Sequence, residues 1–193
     1  MKYSFDAGLP EQCSLEQVKQ VMDKRGYAWA HRIPAEELQL AEEIWRLPDD
    51  RGAVRYVHDH ILEVPLFRAE SNIHGEPTKI LLDLQNDLPF RYIEDFLLEA
   101  ETANPGRRYA LRALAVITTM YRGDVIAAFK AAIVDSDPTI RKLALICVAR
   151  YPAFSFAKEL DTRAAVESDS DLKERQLKLA SDLRAHGKRG TLW

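Results

Sequence analysis

The feature that most constrains this chain is a recurrence of 33 to 34 residues in its second half. Asn104-Pro105-Gly106-Arg107-Arg108, Asp137-Pro138-Thr139-Ile140-Arg141 and Asp171-Leu172-Lys173-Glu174-Arg175 align in register. Each opens on a residue type that caps helices, reaches an arginine four positions later and continues into an apolar helical stretch. Repeats of this size are usually helix pairs. No pair can bury its apolar face alone, so neighbours stack into a slab. Such slabs mostly hold partners rather than turn over substrates.

From Pro77 onward the pattern predicts helices over 77–86, 89–102, 106–121, 123–135, 138–151, 154–167 and 171–186. The short connections between them call for antiparallel neighbours. Ala110, Ala113, Leu114, Ile117 and Met120 form one apolar stripe, and Leu143, Ala144, Cys147 and Val148 form its counterpart one repeat later. The 138–151 segment is apolar almost all round and belongs in the middle of a stack. The last helix has only a narrow seam, Leu172, Leu179 and Leu183, as a terminal repeat facing water needs.

The first half reads differently. Residues 1–13 look irregular, with a turn at Gly8-Leu9-Pro10. Ser14-Leu15-Glu16-Gln17 has the form of a capping box and opens a helix to about Lys24, stopped by Arg25-Gly26. Pro34 suits the first position of a second helix, with Glu36 and Glu37 in its first turn. Leu38, Ala41, Ile44 and Trp45 would be its stripe and Pro48-Asp49-Asp50 its end. Residues 53–69 alternate, and predict a small β-hairpin turning near His58-Asp59-His60 with Pro65 on an edge.

The expected fold is therefore all-α with a small β-hairpin. Residues 1–76 are N-terminal helices and hairpin packed on the repeats, 77–186 are the repeats and 187–193 a tail, one compact domain overall. A chain of 193 residues can bury an adequate core without disulfides or metals. Cys13 and Cys147 lie far apart in unlike contexts, which suits a reduced compartment. No run approaches the ~18 to 20 apolar residues that span a bilayer. The opening Met1-Lys2-Tyr3-Ser4-Phe5-Asp6 lacks the apolar core of a secretory signal, so a cytoplasmic location is expected.

The net charge of −3 conceals an asymmetry. Residues 1–103 hold 20 acidic against 11 basic residues, a net of −9, and residues 104–193 hold 10 against 16, a net of +6. An acidic end could steer a basic partner, and a basic end something acidic.

Candidate chemistry is sparse. His58 and His60 would share a face in a strand and could bind a metal with His74 or an acidic neighbour; in a turn they would diverge. Glu42-Glu43 and Glu94-Asp95, read as helical, point about 100° apart and do not make a catalytic dyad by themselves. There is no Gly-x-Ser-x-Gly elbow and no Gly-rich phosphate loop. Cys147 has apolar neighbours and reads as a core thiol. No cofactor and no catalytic residue is assigned.

Arg107, Arg108, Arg112, Arg122, Lys130, Arg141, Lys142 and Arg150 could grip a nucleic-acid backbone only as a continuous strip. The helices that would have to carry that strip are of mixed charge. More suggestive are the aromatics Trp29, Trp45, Tyr56, Phe67, Phe90 and Tyr92. They interleave with Glu42, Glu43, Asp49, Asp50, Glu94 and Asp95, giving aromatic anchors inside a charged rim, as protein interfaces have.

Asp137-Pro138-Thr139-Ile140-Arg141-Lys142-Leu143-Ala144 resembles the signature of HEAT-like repeats. That resemblance implies a solenoid in which Arg141, and Arg108 and Arg175 as its equivalents, tie adjacent repeats to acidic residues. Small acidic-ended chains of that kind are in turn similar to bacterial immunity proteins. The implied function is a non-catalytic protein-binding module that neutralises a cognate toxin or effector, its partner a basic toxin domain. An adaptor or assembly scaffold, a relative of chaperone-like lyases handling a chromophore, and a binder of the DNA backbone are the alternatives.

Overall fold

The computed structural model of the chain describes residues 2–35, 40–48, 50–102 and 105–188. It divides into two compact units, residues 1–95 and 96–193. The order is β1 (Tyr3–Gly8), α1 (Leu15–Lys24), β2 (Ala28–Ile33), β3 (Ala41–Arg46), β4 (Ala53–Asp59), β5 (Val64–Ser71) and α2 (Glu76–Leu84). Then follow α3 (Ile93–Glu101), α4 (Arg107–Ile117), α5 (Gly123–Ile133), α6 (Pro138–Arg150), α7 (Phe156–Ala164) and α8 (Ser170–Lys188). The expected all-α solenoid, and with it the HEAT-like assignment, is overturned by a five-stranded antiparallel sheet ordered β1-β5-β4-β3-β2. The fold is mixed α and β.

The predicted second helix fails at β3. Glu42, Glu43, Ile44 and Trp45 are strand residues, paired with β2 on one side and β4 on the other. Ile44 and Trp45 are both buried although adjacent in sequence. A strand covered on both faces allows this by pointing them oppositely, whereas one helical stripe holds them together. The supposed first turn of that helix, Glu36, Glu37 and Leu38, lies outside the described residues. Residues 3–8, expected to be irregular, form β1 along β5.

The expected hairpin survives as β4 and β5 inside this sheet. Pro65 is not on an edge strand, because β5 lies between β1 and β4. Its carbonyl accepts from Leu9 N–H (3.2 Å), just past the end of β1, so its missing donor falls where no ladder bond is required. Asp59 closes the turn, its Oδ1 accepting from the N–H groups of Ile61 and Leu62 at 2.9 Å each.

One sheet face carries Ala7, Trp45, Val54, Tyr56, Phe67 and Ala69, which form the core of this unit with Val18 and Met22 of α1 and Ile80, Leu81 and Leu84 of α2. The capping box of α1 forms as expected: Ser14 Oγ accepts from Gln17 N–H and Gln17 Oε1 accepts from Ser14 N–H. Gly52 is required in the β3–β4 connection, since a Cβ there would lie 2.2 Å from the Glu70 carbonyl oxygen.

In residues 96–193 the helices pack in sequence: α4 on α5 and α6, α5 on α6 and α7, and α6 and α7 on α8. α6 does take neighbours on several sides, through Ile140, Ala144, Leu145, Cys147 and Val148. Tyr151, just after α6, accepts at its hydroxyl from Arg122 N–H (2.8 Å) and donates to the Met120 carbonyl (2.9 Å). This stitches the α4–α5 loop to the α6–α7 loop. Burial pushes the Cys147 thiol up to about 12. That fits a core thiol.

The three arginines expected to be equivalent are not. Arg141 is buried in a bidentate pair with Glu167 (2.8 and 2.9 Å) and donates to the carbonyls of Asp135 and Ser136. Arg108 lies 3.9 Å from Asp137 on the surface, and Arg175 pairs with Asp171 one turn away, also on the surface. The residue that does resemble Arg141 is Arg107. It donates to the Ala100 carbonyl near the end of α3 (3.0 Å) and pairs with Asp135 in the α5–α6 connection (2.7 Å).

Candidate protein interface

β2 is one edge of the sheet, hydrogen-bonded to β3 alone among the strands. Its residues are exposed or half-buried on both faces, unlike every other strand of the unit. It is irregular as well: pairing runs Trp29 to Trp45 and then His31 to Ile44, so Ala30 is an extra, unopposed residue. Such a bulge increases local twist and protects an edge from indiscriminate pairing.

Trp29 and Trp45 sit directly opposite each other with contrary fates. Trp45 is 1% exposed in the core, whereas Trp29 is 58% exposed. Trp29 is nevertheless held in place. Its indole N–H donates to Glu43 Oε2 at 2.9 Å, and the other Glu43 oxygen lies 3.5 Å from Arg32 Nε, across the pair of strands. Glu43 itself is buried. A buried carboxylate thus anchors an exposed aromatic ring and a neighbouring arginine. A ring fixed in advance loses little side-chain freedom when covered, which is the property of an interface anchor.

The charges on β2 itself are one-sided. β2 contributes His31 and Arg32 and no carboxylate, and Arg46 opposite Ala28 is exposed. Six carboxylates of the unit, Asp6, Glu42, Glu43, Glu70, Glu76 and Asp87, are held in ion pairs within it. On the sheet face away from the helices, Arg68 is bidentate with Asp6 (2.7 and 2.8 Å). Arg55, its direct cross-strand neighbour, reaches Glu42 (2.6 Å) and Glu70 (2.9 Å), and Lys2 also reaches Glu70 (2.6 Å). Burial alone would raise the Glu70 carboxyl, but Lys2 and Arg55 hold it below its usual value. Elsewhere Asp87 takes Lys24 and Arg25, and Glu76 takes Arg51 and Lys79.

The aromatic and acidic residues read as one interface are therefore dispersed. Trp45, Tyr56 and Phe67 are core, and burial pushes the Tyr56 hydroxyl up to about 12. Glu42 and Glu43 are sheet neighbours on opposite faces, so they form no dyad, though for a strand's reason rather than a helix's. Tyr92 is half-buried, and its N–H donates to Asp95 Oδ2 (2.8 Å), which caps the start of α3; Glu94 is exposed beside it. Asp50 occupies a tight turn with positive φ, and Asp49 lies outside the described residues. Of those aromatic and acidic residues, Trp29 and Glu43 belong to the site at β2; Arg32 and the edge strand itself carry no signal in that pattern. The alternation of Ala28-Trp29-Ala30 before Pro34 was the available signal, and the bulge at Ala30 breaks its period.

His58 and His60 do come together. Their Nδ1 atoms are 3.2 Å apart and their rings meet edge to face, even though His60 lies beyond the strand. His74 instead packs against Tyr3. Among the described residues no group of three or more histidine, cysteine or acidic side chains could hold a metal ion, and no helix is long and apolar enough to cross a membrane. Among the basic residues considered for a nucleic-acid strip, Arg107, Arg108, Arg122, Lys130, Arg141 and Lys142 are held in ion pairs.

Comparison with protein-family models, with curated proteins and with solved structures finds no match.

Proposed function

We propose that this chain is a non-catalytic protein-binding module that takes an extended, acidic segment of a partner alongside β2. The observation that carries this reading is the exposed edge strand bearing Trp29, its ring fixed by a hydrogen bond to buried Glu43. A sheet edge offers backbone donors and acceptors in a row, and an incoming strand satisfies them while side-chain contacts supply specificity. Trp29 supplies the apolar contact. Arg32, His31 and Arg46 favour carboxylates on the partner.

In its most specific form the module is an inhibitor that neutralises a toxin or effector by holding such a segment. The acidic excess of the first half suggested a basic toxin domain. With Asp6, Glu42, Glu43, Glu70, Glu76 and Asp87 engaged by cations within their own unit, we place the contact on the cationic edge instead. An adaptor or scaffold would use the same edge without silencing its partner.

The test compares wild type with Trp29→Ala/Arg32→Glu as bait in the native host, with quantitative mass spectrometry. A partner held by wild type and lost by the variant supports the proposal. Equal recovery on both baits contradicts it. Rescue of growth on co-expression with that partner distinguishes inhibitor from adaptor.

A further inference from the structure

We propose that His58 and His60 form a two-imidazole chelate for a divalent late first-row transition cation, Cu2+, Ni2+ or Zn2+. The argument starts from the bite. A cation with metal–nitrogen distances of about 2.05 Å places two ligand nitrogens about 3.3 Å apart in tetrahedral geometry and about 2.9 Å apart at right angles. The Nδ1 atoms of His58 and His60 are separated by 3.2 Å, between those two values. A direct N–H···N hydrogen bond of that length would be a long one.

The bite is built into the backbone. His58 is fixed in β4, opposite Ala41 on one side and Pro65 on the other. His60 follows in a turn held by the buried Asp59 carboxylate, which binds the N–H groups of Ile61 and Leu62. The two rings are therefore brought to one side by a strand end and an Asx-type turn rather than by side-chain freedom. The surroundings suit a cation that replaces a proton. Burial, then the neighbouring His60, lower the His58 value, the direction that eases replacement of a proton by a cation. Asp59 and Glu63 add negative charge nearby. Imidazole pairs select copper, nickel and zinc over magnesium and calcium. With two protein ligands, the remaining positions would go to water or to a donor from another molecule, giving an exchangeable site rather than a structural one.

The experiment is calorimetric titration of the full chain with Cu2+ and with Zn2+ as simple salts, repeated on His58→Gln, His60→Gln and the triple variant His31→Gln/His74→Gln/His186→Gln. The expected result is one saturable site per chain, weakened at least about tenfold in each single variant, since even outer-shell losses cost about 10- to 100-fold. The triple variant should match wild type. His60 is exposed, so its variant keeps the test meaningful should His58→Gln unfold. Paramagnetic broadening by Cu2+ of both rings, and of no other histidine ring, would agree with the site. Absence of saturable binding, or wild-type affinity in folded His60→Gln, would overturn it.

Discussion

In residues 96–193 the Arg141–Glu167 ion pair is interior: the two side chains are 6% and 0% exposed. In residues 1–95 the corresponding charges lie on a sheet face, with Arg55 and Arg68 at 22% and 28%. The difference separates two uses of charge. A buried guanidinium has five donors to satisfy, and four hydrogen bonds of Arg141 go to Glu167 and to two carbonyls of the preceding loop. Its pairing ties α6 to the loop before α8. On the sheet, water still reaches Arg55 and Arg68, so each pair contributes less to stability. Their value is in register. Arg55 sits between Glu42 and Glu70, which pair with the positions two residues to either side of it on β4, and slipping a strand by one residue would separate them.

That contrast can be broken by mutation. Arg141→Ala should produce the largest effect, about 3–5 kcal/mol, because it leaves the Glu167 carboxylate buried without its main partner. Hydrogen exchange of the α6 and α8 amides checks this, and a loss under 1 kcal/mol would place the pair among surface bridges. The same pair predicts a pH response. Arg141 first, and the Asp169 backbone N–H with it, hold Glu167 at about 2 against an ordinary 4.5, although burial opposes them. A carboxyl lowered on folding stabilises fully above its unfolded value and loses that contribution as pH falls through the folded one. Acid titration of the wild type should therefore show stability declining from about pH 4.5 toward pH 2, and Glu167→Gln should flatten that part of the curve.

Smaller effects belong to the sheet. Arg68→Ala should cost about 1 kcal/mol in chemical denaturation, since water still reaches the Arg68 side chain of the Asp6 pair. Arg175→Ala removes an exposed pair within one helix and should stay within about 0.5 kcal/mol. An effect of Arg175→Ala as large as that of Arg141→Ala would revive the equivalence that their surroundings deny.

The helical half was legible because helix signals are local. Asp137-Pro138 opens α6 with the Asp137 side chain accepting from Thr139 N–H, and the 3.6-residue stripes persist through the unit. What misled was the assumption that the recurring arginine lay four positions after the cap. Arg107 is the structural counterpart, and only three-dimensional partners distinguish it from its neighbour Arg108. The sheet was less legible for a physical reason. In β3 the consecutive residues Glu43, Ile44 and Trp45 are all buried, so Ala41–Arg46 lacks clean alternation, and a short segment between prolines fits a helix equally well. Strand pairing is non-local, so nothing in Trp29 alone announces Trp45 opposite or Glu43 beneath its N–H. The edge strand became visible only with the sheet order.

The most direct test of the central claim is hydrogen exchange across β2 with and without the partner recovered on the wild-type bait. The account predicts that the amides of Ala28–Ile33 exchange faster than those of β4 and β5 in the free protein and become protected on binding. Protection confined to the loops around Tyr121 and Phe154, both exposed apolar residues, with β2 unchanged, would contradict it.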